Sequence, residues 1–409
     1  MSKPHYIRSG WLIDGSGGPV QKNMLLRVEN GAFTSISPFR EGDAPDPDTV
    51  TDLSSCTILP PFVDCHVHLS MSGRTAPQTR QERDRPDFKT LSTRIAGHIH
   101  QHFIHGILAV RDGGDTRGHV LHYKNTPRPT GNDPVTFKVA GRAWHKKGRY
   151  GGLIGRHLQN NATPAQALAE ENESIDHIKL IQSGLNSLKV FGHQTAPQFT
   201  LDELKGFVLQ ARQKREKVMV HANGELPVRL ALEAGCDSIE HGFFMGRENL
   251  GTMADRQITW VPTACTMKAF AENMDPDDPG FDRGVVEKNL HHQLEQMRLA
   301  QQYGVTIALG TDAGCRGVPH GESVAEELKL IMQAGYALTE AVQCATANGA
   351  RLLGLDNSGC IAPSQPAHFI VAKGSPAMLP TKLRSLEAIY LHGTLCSRLY
   401  PQSGRAILF

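Results

Sequence analysis

Ile58-Leu59-Pro60-Pro61-Phe62-Val63-Asp64-Cys65-His66-Val67-His68-Leu69-Ser70 is an apolar run that ends in two histidines one residue apart. Residues i and i+2 of an extended segment face the same side. If Thr57–Asp64 is a strand, His66 and His68 point together from its C-terminal end, and two converging imidazoles are two ligands for one metal ion. The bland alternative, a pair of core or surface histidines, leaves the rest of the pattern unexplained. Outward from this run, seven more apolar stretches recur: Ile107–Arg111, Val135–Ala140, His177–Ile181, Lys217–His221, Asp237–His241, Thr259–Thr263 and Val305–Gly310. Helical signals fill the gaps. Thr163-Pro164-Ala165-Gln166 carries an N-cap, a proline at the first helical position and a glutamine at N3, and Thr200 with Glu203 forms a capping box. Strands alternating with helices specify an α/β protein with a parallel sheet. Eight units fit a closed (β/α)8 TIM barrel, with His221, His241 and Asp312 also at C-terminal strand ends, where barrel enzymes place their active sites.

The chain has 409 residues, more than the roughly 250 of one barrel. Short strands and turns also occupy both ends. Trp11-Leu12-Ile13 precedes Asp14-Gly15, Met24–Val28 precedes Glu29-Asn30-Gly31, and Ala367–Val371 precedes Leu386–Tyr390. Neither end buries enough to stand alone. We therefore expect a small β-sandwich composed of residues 1–57 and 359–409, with the barrel at 58–358. Charge is balanced, 43 Lys+Arg against 41 Asp+Glu, so no electrostatic case exists for nucleic acid or membrane surfaces. No apolar stretch approaches the ~20 residues of a membrane span. The eight cysteines form no C-x-x-C pair, and reduced thiols in a cytoplasm are the simpler reading. The expected partner is a small-molecule substrate, and a homo-oligomer is left open.

These segments resemble the amidohydrolase superfamily. The 58–70 run looks like its first-strand signature P-G-x-x-D-x-H-x-H, and VMVHANG, SIEHGFF and ALGTDAG look like its fifth-, sixth- and eighth-strand motifs. SGWLIDGSGGP and GCIAPSQPAHFIVAKGSP resemble the two halves of its small sandwich. The nearest branch is the imidazolonepropionase-like group, with dipeptidases acting on Xaa-Pro or Xaa-Arg bonds. Pro61 replaces the signature glycine and His368 a usual aspartate; neither is a metal ligand. The resemblance implies two divalent metal ions, most simply zinc. His66, His68 and Asp312 would hold one, His221 and His241 the other. A lysine carboxylated by carbon dioxide, together with a hydroxide, would bridge them. IDHIKLIQSG resembles the strand carrying that lysine and points to Lys179, with Lys189 as competitor. The implied reaction is hydrolysis of an amide-type C–N bond, with Asp312 moving the proton.

Other residues are read more loosely. The segment Gly141–Tyr150 should overhang the site. His145 is the candidate donor to the substrate carbonyl, Arg149 and Tyr150 the candidates for a substrate carboxylate, and His320 a further contact. Alternatively, these basic residues merely solvate a loop. His98, His100, His102 and His105 lie in a helical context, where i and i+2 diverge by about 200°, and are read as helix-surface residues, as are His291 and His292. Arg111-Asp112-Gly113-Gly114 reads as a structural turn with a buried ion pair. Two rival functions are a mononuclear deaminase, whose H-x-x-E is missed by one residue at Glu225, and a barrel without catalysis that serves as a scaffold.

Overall fold

The computed structural model describes residues 4–43, 49–75, 87–127, 134–158 and 162–398. Four strands open the chain: β1 (His5–Leu12), β2 (Gln21–Glu29), β3 (Ala32–Pro38) and β4 (Val50–Leu59). Three close it: β14 (Phe369–Lys373), β15 (Ala388–Leu391) and β16 (Thr394–Arg398). Strands from the two ends form one hydrogen-bonded sheet of order β16-β15-β14-β4-β1-β2-β3. β4 runs parallel to β1 and antiparallel to β14, joining the two ends of the chain. Ile7, Leu26, Phe33, Ile58, Phe369 and Tyr390 form the core of this sheet, with the rings of Phe369 and Tyr390 stacked at 4.4 Å.

Between the ends lie two sheets whose strand pairs are all parallel. One holds β5 (Phe62–Val67), β6 (Ile107–Asp112) and β7 (Thr136–Val139). The other has the order β13-β12-β11-β10-β8-β9, from β8 (Ala143–His145), β9 (Gly155–His157), β10 (Ile178–Ile181), β11 (Val218–Ala222), β12 (Ser238–His241) and β13 (Thr259–Val261). Residues 306–313 lie between β13 and β5. Ala308 N donates to Trp260 O at 2.9 Å, and Cys65 N donates to Leu309 O at 2.8 Å. On the other side, Asp176 N donates to Val139 O at 2.9 Å.

Two expectations need correction. The eighth strand, Val305–Gly310, forms no ladder: it makes the isolated bridge of Ile307 with Trp260, and Ala313 beyond it bridges Val67. The segment after the third strand is not all loop. Ala143-Trp144-His145 is buried and pairs with β10 through Trp144 and Leu180; three residues are too few for periodicity to reveal.

The helices start where their caps predict. Thr163 and Thr200 both close capping boxes, before helices Pro164–Ala169 and Leu201–Gln213. Helix Phe88–Ile104 buries Leu91, Ile95, Ile99 and His102 on one face. His102 is thus not a surface residue: residues i and i+4 share a helix face, so His98 and His102 turn inward together while His100 stays exposed. His291 is exposed as expected, but His292 is half-buried, its ring 4.5 Å from that of Phe244. The eight cysteines are unpaired. Among the described residues no helix is long and apolar enough to cross a membrane.

Candidate metal centre and active site

His66, His68, Lys179, His221, His241 and Asp312 line one cavity of about 300 Å³, at the lower end of the ~300–1,000 Å³ typical of small-molecule sites. Each stands at or near the C-terminal end of a parallel strand, except Lys179, the second residue of β10. Ring centroids are 5.5 Å apart for His66 and His68, 4.8 Å for His66 and His241, and 4.6 Å for His221 and His241. Asp312 Oδ1 lies 3.3 Å from His68 Nε2 and 3.6 Å from His66 Nε2. One donor atom from each of His66, His241 and Asp312 falls within 4.8 Å of the others.

Alternation explains His66 and His68 but not the neighbours Glu240 and His241, which both turn toward the site. His241 (φ 65°) and Asp312 (φ 58°) adopt left-handed backbone, which costs a non-glycine residue about 1–2 kcal/mol. Such strain persists only where surroundings enforce it. Here Trp260 Nε1 and Gln293 Nε2 both donate to His241 O, at 3.0 and 2.6 Å. Gly113 lets the histidines approach the backbone, since a Cβ there would sit 2.8 Å from His68 Cε1.

Each histidine spends one ring nitrogen on the protein. His66 Nδ1 donates to Glu240 Oε2 at 2.8 Å, His68 Nδ1 to Gly114 O at 2.9 Å, and His221 Nε2 to Gly184 O at 3.2 Å. His241 Nδ1 contacts Thr263 Oγ1 at 2.7 Å. Metal-binding histidines are oriented in this way through one ring nitrogen; the other nitrogen of His68, Nε2, lies 3.3 Å from Asp312 Oδ1. Burial, followed by neighbouring positive charge, pushes His66 and His241 well below the ordinary histidine value and His221 down to about 3. These three rings are therefore neutral, the form that binds a metal; burial also lowers His68, but its hydrogen bond to Asp312 and that residue's charge raise it above the ordinary value on balance.

Lys179 is fully buried and, among the described residues, its Nζ has no hydrogen-bond partner. Burial lowers its ammonium from 10.5 to about 8. Lys189 is exposed, and its Nζ donates to Pro279 O at 2.8 Å. Of the two, only Lys179 is with the histidines.

The expected substrate contacts divide. Tyr150 lines the cavity, its ring 5.2 Å from that of His221, and burial raises its phenol, keeping the O–H protonated. His145 is buried but does not line that cavity. Its Nδ1 donates to Lys146 O at 3.0 Å, its ring faces His157 at 6.0 Å, and a Cβ on Gly151 would press against it. Arg149 is exposed and donates to Ala196 O at 2.7 Å. His320 lies apart, against His102 and His98, with ring centroids 5.2 and 4.0 Å away.

A family model described as the amidohydrolase family matches residues 57–390. The chain belongs to the amidohydrolase family. Ochratoxinase of Aspergillus niger is 29% identical over 151 residues, 37% of this chain but only 31% of that protein. An uncharacterized protein of Mycobacterium tuberculosis is 26% identical over 354 residues, 84% of each chain. Among solved structures, a Xaa-Pro dipeptidase with methionine bound in its active site superposes with a TM-score of 0.81 at 26% identity, covering 96% of this chain and 100% of that one.

In this amidohydrolase, sequence reasoning missed the supports. Glu240 is fully buried between His66 and Arg111, whose Nη2 donates to Glu240 Oε1 at 2.8 Å. The expected buried ion pair of Arg111 therefore exists, but with Glu240. Asp112 instead accepts the Leu69 and Gly114 amides. No local signal marks Glu240, because alternation along the strand would face it away from its neighbour His241. Arg316, on the cavity wall, follows no periodic signal.

Proposed function

We propose that this chain hydrolyses an amide-type C–N bond of a small molecule, such as a dipeptide, an N-acyl amino acid or a cyclic amide. The observation that carries the reading is the convergence of four histidine side chains and Asp312 on one cavity beside the Nζ of Lys179, which has no partner among the described residues. In this reading the two parallel sheets and residues 306–313 are the walls of a (β/α)8 barrel at 58–358, and residues 1–57 and 359–409 the accessory domain.

Neutral imidazoles and a carboxylate form a donor set suited to divalent zinc. His66, His68 and Asp312 would hold one ion, His221 and His241 a second. Lys179, as a carbamate formed from carbon dioxide, would present an anionic oxygen to each. Carbamate formation needs an uncharged amine, which a lysine titrating near 8 supplies far more readily than one near 10.4. When bound, such ions acidify a water and polarise the scissile carbonyl.

The protein does the rest. Asp312 accepts the proton of the attacking water at its carboxylate and passes it to the leaving nitrogen. Tyr150, which lines the cavity, donates its O–H to the developing oxyanion. Glu240 and Thr263 hold the rings of His66 and His241 in place.

The test is a hydrolysis screen of metal-loaded protein over dipeptides, N-acyl amino acids, lactams, hydantoins and aminated nucleobases. Amino-acid release or ring opening is expected, with Asp312→Asn slower by at least ~10³-fold. Ammonia from a nucleobase would instead establish the deaminase, and near-normal turnover by Asp312→Asn would remove it as the base.

A further inference from the structure

Three imidazoles pack together outside the metal cavity, and the proposed reaction uses none of them. His98 and His102 come from helix Phe88–Ile104, and His320 from the loop that follows Asp312. The His320 ring stacks on that of His98 at 4.0 Å with 22° between their planes, and meets His102 edge-on at 5.2 Å. His102 and His320 are buried and His98 is half-buried, yet none of the three lines the metal cavity.

Their hydrogen bonds run in one direction. A carbonyl oxygen only accepts, so His98 Nδ1 donates to Leu69 O at 2.8 Å and His320 Nε2 to Met71 O at 2.8 Å. The remaining nitrogen of the neutral His320 ring, Nδ1, accepts from His102 Nε2 at 3.2 Å. His102 Nδ1 is then a bare lone pair, buried and without a partner among the described residues. Apolar side chains would fill such a seam without leaving an acceptor unmatched. Imidazoles add direction, because a hydrogen-bonded network specifies one arrangement where an apolar contact tolerates several.

The backbone so directed is the one that carries His68. Its N–H groups are held from one side: His68 N donates to Ala313 O at 2.7 Å and Leu69 N to Asp112 Oδ2 at 2.7 Å. Its carbonyls are held from the other, by His98 and His320. The loop bearing His320 is itself placed, since Gly73 N donates to Gly314 O at 3.1 Å and Gly317 N to Gly73 O at 2.9 Å. It crosses the helix backbone to backbone at Gly321 (φ 79°), where a Cβ would meet Gln101 O at 2.3 Å. Helix, loop and the segment leaving His68 form one braced unit, and displacing either histidine displaces His68.

We propose that His98 and His320 are positioning residues of the metal centre: by holding the Leu69 and Met71 carbonyls they fix the backbone of His68, and so set the affinity for the ion that His66, His68 and Asp312 would hold. Neither touches that ion. Groups that orient a ligand from outside typically change metal affinity by 10- to 100-fold, and these two, acting through the backbone, belong at the lower end, roughly 10-fold each. The inference rests on the metal centre proposed above and not on any substrate.

The test exploits which nitrogen donates. An asparagine amide nitrogen stands near the place of imidazole Nδ1, and a glutamine amide nitrogen near that of Nε2. His98→Asn and His320→Gln therefore keep the donor, whereas His98→Gln and His320→Asn misplace it. Zinc affinity of the full chain is measured by competition with a chromophoric chelator, beside the urea midpoint of the zinc-free protein. The misplaced pair should each bind zinc roughly 10-fold more weakly, and the retained pair within about twofold of the wild type. A merely structural role would lower the urea midpoint and leave the affinity of the folded protein in place. The assignment is overturned if the misplaced pair bind zinc as the wild type does, or if both members of each pair weaken alike. Should a misplaced variant fail to fold, the retained pair decides: wild-type affinity supports the assignment and a roughly 10-fold loss overturns it. A wild type that binds no zinc would remove the metal centre and this inference together. One that binds zinc in the expected pattern but hydrolyses nothing would sink the proposed reaction and leave this assignment standing.

Discussion

Glu240 and Lys179 are both buried ionisable side chains within the ring of histidines, and they differ in what holds them. Glu240 is matched on both oxygens, by His66 Nδ1 and by Arg111 Nη2. Glu240→Gln should therefore strand Arg111 as a buried, uncompensated charge and release the His66 ring. The expected loss is about 3–5 kcal/mol in urea unfolding, with metal affinity lower by roughly 10- to 100-fold in a chelator competition. Lys179 has no matched partner among the described residues, which in a protein interior points to chemistry rather than stability. Lys179→Ala should lower metal content from two ions per chain toward one or none by elemental analysis, whereas Lys189→Ala, an exposed residue on the Pro279 carbonyl, should keep both; the opposite result would move the bridge to Lys189. At this scale the ligand residues were legible in sequence because strand-end position and the i, i+2 rule fix where His66 and His68 point. The supports were not. The partner of Arg111 lies 129 positions along the chain, and no local pattern connects them.

Helix Phe88–Ile104 shows what a single element adds beyond its sequence pattern. His98 Nδ1 donates to Leu69 O at 2.8 Å and His320 Nε2 to Met71 O at 2.8 Å, which leaves His320 Nδ1 to accept from His102 Nε2 at 3.2 Å. The helix thereby grips the segment leaving His68, using three neutral imidazoles in a fixed tautomeric order. Burial lowers His102 to about 3, against about 6.5 in the unfolded chain. The unfolded state then binds the extra proton, so this contribution to stability is complete above about pH 6.5 and is lost as pH falls toward about 3, at up to ~1.4 kcal/mol per pH unit. Urea midpoints followed from pH 7.5 to 4.5 should show His102→Leu with a pH slope shallower by about one proton than the wild type; identical slopes would mean that His102 titrates normally. The sequence displayed these histidines plainly, yet read as H-x-H they scatter around the helix. Their common face appears only when 98 and 102 are paired as i and i+4, and His320 joins them from more than 200 residues away.

At the scale of the whole molecule, alternating strands and helices announced the parallel sheets, and the motifs at 66, 221, 241 and 312 announced their order. Both chain ends contribute strands to one seven-stranded sheet, and alternation tells which side of a strand is buried, not which strands share a sheet. Candidate ligands drawn from five separate segments of the chain mean that a bound metal would tie the centre of the fold together. Dialysis against a chelator should abolish turnover and lower the melting temperature, and restored zinc or manganese should recover both. At a thousandfold excess of metal over its Kd the linked stabilisation is about 4 kcal/mol, so a melting curve indifferent to metal removal would count against this site. β4 has a different consequence, which concerns synthesis. Its neighbours are β1, made just before it, and β14, made roughly 300 residues later. At about 5–20 residues per second, one edge of β4 faces the ribosome's surroundings unpaired for roughly 15 to 60 seconds while the residues of the active site emerge. The strand that stitches the finished protein together is thus the one most exposed to mispairing while the chain is being made.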